Sequence, residues 1–128
     1  MSCTVAAARE ASLLGIPAIA ISQYIHSRRE PPDQDRTRRW TVRILEHFIE
    51  NPPQAGEYWN VNLPDPKTGT PEPEIVICPI DPGHHALVCE QTDDGYVYRG
   101  KYQDRNRDPG CDVDICFSGN IAVFRLCV

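Results

Sequence analysis

Lysine is almost absent from this 128-residue chain, which has two lysines beside 11 arginines. With 18 acidic residues the net charge is −5, so no broadly basic surface exists to hold nucleic acid by charge. Long apolar runs are also missing, and without about 18 consecutive apolar residues no membrane-spanning helix is expected. Arg9 and Glu10 interrupt the apolar stretch near the start, which argues against a signal peptide. The sequence holds no Gly-x-Ser-x-Gly elbow, phosphate-binding P-loop or His-Glu-x-x-His. What is there is ordinary for one globular domain, with 41% apolar residues. Arginine forks suit phosphate and carboxylate, and the base composition of a gene produces the same arginine bias.

Six cysteines stand at 3, 78, 89, 111, 116 and 127, with no Cys-x-x-Cys pair to signal structural zinc. An even count suits three disulfides, but a chain of this length needs no such staples and shows no secretory signal. The thiols are therefore expected to be free and buried, in a cytoplasmic protein.

Ser2 or Thr4 can cap a helix over Val5–Leu14, which is rich in Ala and Leu and ends at Gly15. Ile16–Ile21 then reads as a strand apolar on both faces, the pattern of a parallel strand covered by helices. Asp33 or Asp35 starts a second helix that runs to Glu50. Its apolar residues Trp40, Ile44, Leu45, Phe48 and Ile49 predict one buried stripe. Arg36, Arg38, Arg39 and Arg43 crowd its beginning, either to meet an anionic partner or as a solvated face. Eight of the 12 prolines lie between Pro52 and Pro82 and punctuate strands at Tyr58–Leu63 and Glu74–Ile80. In the first of these, Tyr58, Asn60 and Asn62 alternate with Trp59, Val61 and Leu63, predicting a polar and an apolar face. Strands are expected at His85–Gln91 and Tyr96–Tyr102 around an Asp93-Asp94-Gly95 turn, then a charged loop, one helical turn at Asp112–Phe117 and a strand at Asn120–Cys127.

Several groups carry candidate chemistry. Asp93-Asp94 could hold a hard cation, although strands flank the pair and a turn explains it. Asp112 and Asp114 share a face only on a strand. His84, His85 and Cys89 offer zinc ligands at a nonstandard spacing. Ser2-Cys3-Thr4 places hydroxyls and backbone N–H groups at a helix start, where donors and dipole converge on an anion; simple capping is the other reading.

The order of segments resembles the SurE survival proteins, which are 5′/3′-nucleotidases. SCTVAAAREASLLGIPAIAIS at residues 2–22 is similar to the family's Ser-Gly-Thr-Val segment with its following helix and Gly-Ile-Pro strand. Asn60-Val61-Asn62-Leu63-Pro64, Gly110-Cys111-Asp112 and the strand from Gly119 to Leu126 resemble three later segments in the same order. The likeness is to the C-terminal portion of the family. It implies an α/β fold: a partial Rossmann-type sheet with a β-rich C-terminal extension, residues 1–64 being the remnant of the core and 65–128 an assembly region. It also implies hydrolysis of nucleoside monophosphates or other phosphate monoesters with a divalent metal, Mn or Mg. The family's metal ligands, two consecutive Asp, a Ser and an Asn, lie upstream of the matched segment. Only the phosphate-binding segment carries over, onto Ser2, Cys3 and Thr4, with Cys3 in place of glycine. No catalytic residue and no metal ligand carries over. The resemblance thus implies a truncated chain that binds no metal and is inactive alone, with a non-catalytic oligomerisation or nucleotide-binding module as the alternative. It also implies a homo-oligomer formed through residues 85–128. The buried strand wants neighbours on both edges, so exposed apolar surface is expected on the isolated chain.

Overall fold

A computed structural model describes residues 2–26, 32–66, 69–83, 89–98 and 107–128. Helix α1 (Cys3–Leu13) follows Ser2 and ends before Gly15, whose φ of 73° reverses the chain. Strand β1 (Ala18–Gln23) begins two residues later than expected, after Pro17. The Ile16 N–H is spent on the Ala11 carbonyl, and Pro17 has none to give. Helix α2 (Gln34–Glu50) starts at Asp33, whose carboxylate accepts from the Arg36 N–H at 3.0 Å. Strand β2 (Glu57–Leu63) follows. Strand β3 is only Ile75–Ile77, shorter than expected, although the Cys78 N–H still bonds the Val123 carbonyl. Pro79 and Pro82 follow and cannot extend the ladder.

Strands β4 (Cys89–Thr92) and β5 (Gly95–Tyr98) form an antiparallel hairpin around the expected Asp93-Asp94 turn. The beginning of the first expected strand and the end of the second lie outside the described residues. Helix α3 (Asp112–Phe117) and strand β6 (Ile121–Cys127) match the expected elements closely.

The main sheet has the order β1-β2-β6-β3. β1 is parallel to β2, β2 antiparallel to β6, and β3 parallel to β6. This is the predicted α/β class, with a mixed sheet. One face carries Trp59, Val61, Leu63, Ile121 and Val123 against Trp40 and Ile44 of α2. The other packs Ala18, Ala20 and Tyr58 against Ala8 of α1, and further along Ala122 against Cys116 of α3. Small alanines on both partners let α1 lie close to the sheet.

Two expectations about faces need correction. The supposed polar face of β2 is covered: Asn60 is only 5% exposed, because α1 lies over that side. The apolar stripe of α2 is split. Trp40 and Ile44 are buried and Phe48 packs against them, whereas Leu45 and Ile49 are 38% and 74% exposed.

Candidate functional site at the carboxyl edge of β1 and β2

Both long helices run against β1 and β2. The Ser12 hydroxyl near the end of α1 donates to the Glu57 carbonyl at the start of β2 (3.0 Å). The Thr37 hydroxyl in the first turn of α2 donates to Gln23 Oε1 at the end of β1 (3.0 Å). The amino termini of α1 and α2 therefore lie at the carboxyl ends of β1 and β2, on opposite faces of the sheet. Open α/β sheets receive ligands at this edge.

The two helix starts differ chemically. Asp33 caps α2 and Asp35 adds a second carboxylate in its first turn. The backbone N–H of Arg36 holds the Asp33 carboxyl below its ordinary pKa. At α1, Ser2 occupies the cap position in extended conformation, yet its side chain makes no capping bond and the first turn holds no acidic residue. Neither the cap nor the first turn thus supplies a side chain to neutralise its N–H groups and dipole, the features that favour an anion. The structure brings Ser2, Cys3 and Thr4 together there, all three exposed. On the same face of the sheet Ser22 stands beside Asn62 in register, and Ala20 beside Asn60. Asn60 Oδ1 is buried without a hydrogen-bond partner. The alternation pattern hid this residue, because a period of two marks it as outward and polar.

The arginines of α2 answer neither earlier reading in full. Arg36 reaches the Asp65 carboxylate and the Pro66 carbonyl, each at 3.4 Å, and its guanidinium lies 5.1 Å from the Trp40 ring. Arg39 pairs with Glu72 at 3.4 Å, and Arg43 donates to the Pro73 carbonyl at 3.1 Å. Glu72 also accepts from Trp40 Nε1 at 2.7 Å. Three of the four arginines thus clasp the proline-rich segment after β2 onto the helix.

The described residues do not fit a divalent cation. No group of three or more His, Cys, Asp or Glu among them could hold one. The carboxylates near α3 are engaged by backbone N–H groups, and Asp114 also pairs with Arg107 at 3.5 Å. Asp81 accepts from the Gly83 and Asp108 N–H groups, Asp112 from the Asp81 N–H, and Asp114 from the Gly110 N–H. Asp112 and Asp114 thus tie the preceding loops to the first turn of α3. Asp93 and Asp94 are exposed in the hairpin turn, Cys89 is exposed on β4, and His84 and His85 lie outside the described residues. All six cysteines are free; Cys78, Cys111 and Cys116 are buried, but Cys3, Cys89 and Cys127 are exposed, against the expectation of burial. A small cavity of about 110 Å³ lined by Ser12, Ile16, Gln54 and Glu57 opens at the opposite, amino end of β1 and β2.

The family model described as survival protein SurE matches residues 1–85. The chain belongs to the SurE family. A protein of Nostoc sp. whose name reads 5′-nucleotidase is 42% identical to this SurE chain over 98% of it, and 55% of that relative is covered. A similarly named protein of Synechocystis sp. matches equally, with 56% of its length covered. The 5′-nucleotidase SurE of Neisseria meningitidis is 48% identical over 49% of this chain and 24% of its own. The chain thus spans about half the length of the relatives that match it throughout. A crystal structure of SurE from Aquifex aeolicus superposes with a TM-score of 0.70 at 21% identity, covering 97% of this chain and 50% of that one. That likeness carries the fold. Among the described residues no helix is long and apolar enough to cross a membrane.

Proposed function

We propose that this chain carries the phosphate-cradling part of a SurE-type nucleotidase acting on nucleoside monophosphates or related phosphate monoesters in the cytoplasm. The uncapped amino terminus of α1 carries the reading: Ser2, Cys3 and Thr4 stand at the carboxyl edge of β1 and β2 with no acidic residue in the turn. A phosphate there accepts from backbone N–H groups and from the Ser2 and Thr4 hydroxyls. The Cys3 side chain, where the family has glycine, narrows the approach to the backbone. A divalent Mn or Mg ion belongs to the family's chemistry, and the described residues of this chain do not fit one. By itself the chain binds phosphate weakly and turns over nothing. The same observations favour a second reading, a metal-independent nucleotide-binding or oligomerisation module. In either case the chain self-associates through residues 85–128.

The test is a phosphatase assay of the purified, folded chain on nucleoside monophosphates, with manganese and with a chelator, beside a calorimetric titration of the same ligands. Absence of turnover together with weak binding that Thr4→Ala diminishes is the expected result. Metal-dependent turnover by the chain alone would overturn its inactivity and place a metal site among residues assigned here to turns. Tight binding that ignores both metal and chelator would favour the binding module.

A further inference from the structure

The chain leaves the core after β3 and returns to it at α3. Both junctions are rooted in β6. The Cys78 N–H, next after β3, bonds the Val123 carbonyl, and Cys116 of α3 packs on Ala122. Residues 84–106 lie between these roots and carry the hairpin of β4 and β5. Among the described residues neither hairpin strand pairs with the main sheet.

One carboxylate joins the two stems of this excursion. Asp81 Oδ1 accepts from the Gly83 N–H at 2.7 Å, on the outgoing stem. Its Oδ2 accepts from the Asp108 N–H at 3.2 Å, on the returning stem. Its own N–H donates to Asp112 Oδ1 at 2.6 Å, in the first turn of α3. Asp114 ties the returning stem a second time, by accepting from the Gly110 N–H at 3.0 Å and pairing with Arg107 at 3.5 Å. Asp81 and Asp112 are only 8% and 7% exposed. A buried carboxylate is costly unless it is hydrogen-bonded, and N–H groups that donate to a carboxylate form the stronger class of bond. Asp81 meets that demand across both stems at once. Pro79 and Pro82 stiffen the outgoing stem, and Gly110, with φ 79°, turns the returning one.

We propose that Asp81 is the latch of a hinge: its carboxylate clasps the two stems, fixes the direction in which residues 84–106 leave the core, and so sets the geometry of self-association. The last step rests on the assembly reading above; the latch itself does not. Opening the latch frees the excursion and spares the sheet, because the bond from Cys78 to Val123 and the packing of Cys116 on Ala122 do not pass through Asp81. An aspartate that merely supports the core would instead carry its loss into β2 and β6.

The experiment compares the full chain, Asp81→Ala, and a chain in which a short glycine linker replaces residues 84–106. Amide exchange is read residue by residue by NMR, and self-association by sedimentation. Asp81→Ala should speed exchange of the Gly83 and Asp108 amides by about tenfold or more, the loss of one bond each. The amides of β2 and β6 should keep the parent's protection, and self-association should weaken. The excised chain should keep the same protection in β2 and β6 and stay monomeric. Should Asp81→Ala not fold, Asp81→Asn, which keeps one of the two carboxylate bonds, makes the same comparison. Unchanged exchange at Gly83 and Asp108 overturns the proposal, as does faster exchange that spreads equally into β2 and β6. An excised chain that does not fold overturns it too. So does self-association that excision abolishes and Asp81→Ala leaves untouched. An excised chain that associates as the parent does, beside loosened Gly83 and Asp108 amides in Asp81→Ala, leaves the latch standing and sinks the assembly reading.

Discussion

Cys78 and Cys116 belong to one buried cluster with Ala122, and their thiols point at backbone carbonyls of Val123 and Leu63. Burial, reinforced by the nearby Asp112 charge, pushes the Cys78 thiol up to about 11 and that of Cys116 up to about 12. Cys111 shifts in the same direction through burial and the aspartates around it. The thiolate is the nucleophile, so each unit of upward shift removes about nine-tenths of the reactive form. Native protein treated with a thiol-specific disulfide reagent should therefore show three fast groups, Cys3, Cys89 and Cys127, with Cys78 slower by on the order of 100-fold, Cys116 slower still, and Cys111 retarded in the same direction. Denaturant should bring all six to one rate, and mass spectrometry of the partly labelled chain identifies the fast ones. Uniform reaction of the folded protein would contradict the burial assigned to the three. A redox role for the buried trio finds no support in this chemistry, because burial stabilises their unreactive form.

At the scale of elements, α2 shows how far pattern reading reaches. Its length, its Asp33 start and its buried Trp40 and Ile44 follow from capping chemistry and helical period alone. The exposure of Leu45 and Ile49 does not, because hydropathy marks a residue as apolar without saying which flank has a partner. Asn60 is the converse case, a polar residue buried because α1 crosses a face that alternation alone leaves open. That α1 starts at Ser2-Cys3-Thr4 was legible, but that the Ser2 side chain makes no capping bond, unlike the carboxylate at the start of α2, needed both helices placed at one edge. The clasp on α2 was not legible either, since its partners lie about 30 residues away in the chain. Glu72 is held below its ordinary pKa, first by the hydrogen bond from Trp40 and then by Arg39. A depressed carboxylate contributes stability that is present above its unfolded value, near 4.5, and lost as pH falls through the lower folded value. Glu72→Gln, which keeps an acceptor for Trp40, should flatten the loss of stability below pH 4.5 and cost little at neutral pH. Glu72→Ala should lower the neutral-pH melting temperature by a few degrees. Thermal melts between pH 3 and 7 compare the three, and parallel curves for parent and Glu72→Gln would refute the assignment.

On the scale of the whole molecule, the hairpin of β4 and β5 stands apart from the main sheet, since β4 pairs only with β5 among the described residues. A two-stranded hairpin is marginal in water by itself and gains stability from a further strand or an apolar cover. This one exposes Tyr96 at 75% and Val97 at 40%. The main sheet does not need it, because β2, β6 and α2 enclose the central core with residues from outside the hairpin. A segment that contributes little to the core yet presents apolar side chains is suited to pairing with a second copy, where two hairpins lend each other cover. If the proposed self-association runs through this region, Tyr96→Lys together with Val97→Lys should shift the chain toward monomer in analytical ultracentrifugation, by tenfold or more in dissociation constant. The melting temperature extrapolated to low protein concentration should stay unchanged, because the enclosed core is untouched. Ile49→Lys, on the far flank of α2, should leave this equilibrium alone. Loss of self-association by Ile49→Lys and not by the hairpin pair would move the contact to the β1 edge. An unchanged equilibrium in both would show that neither surface joins two copies.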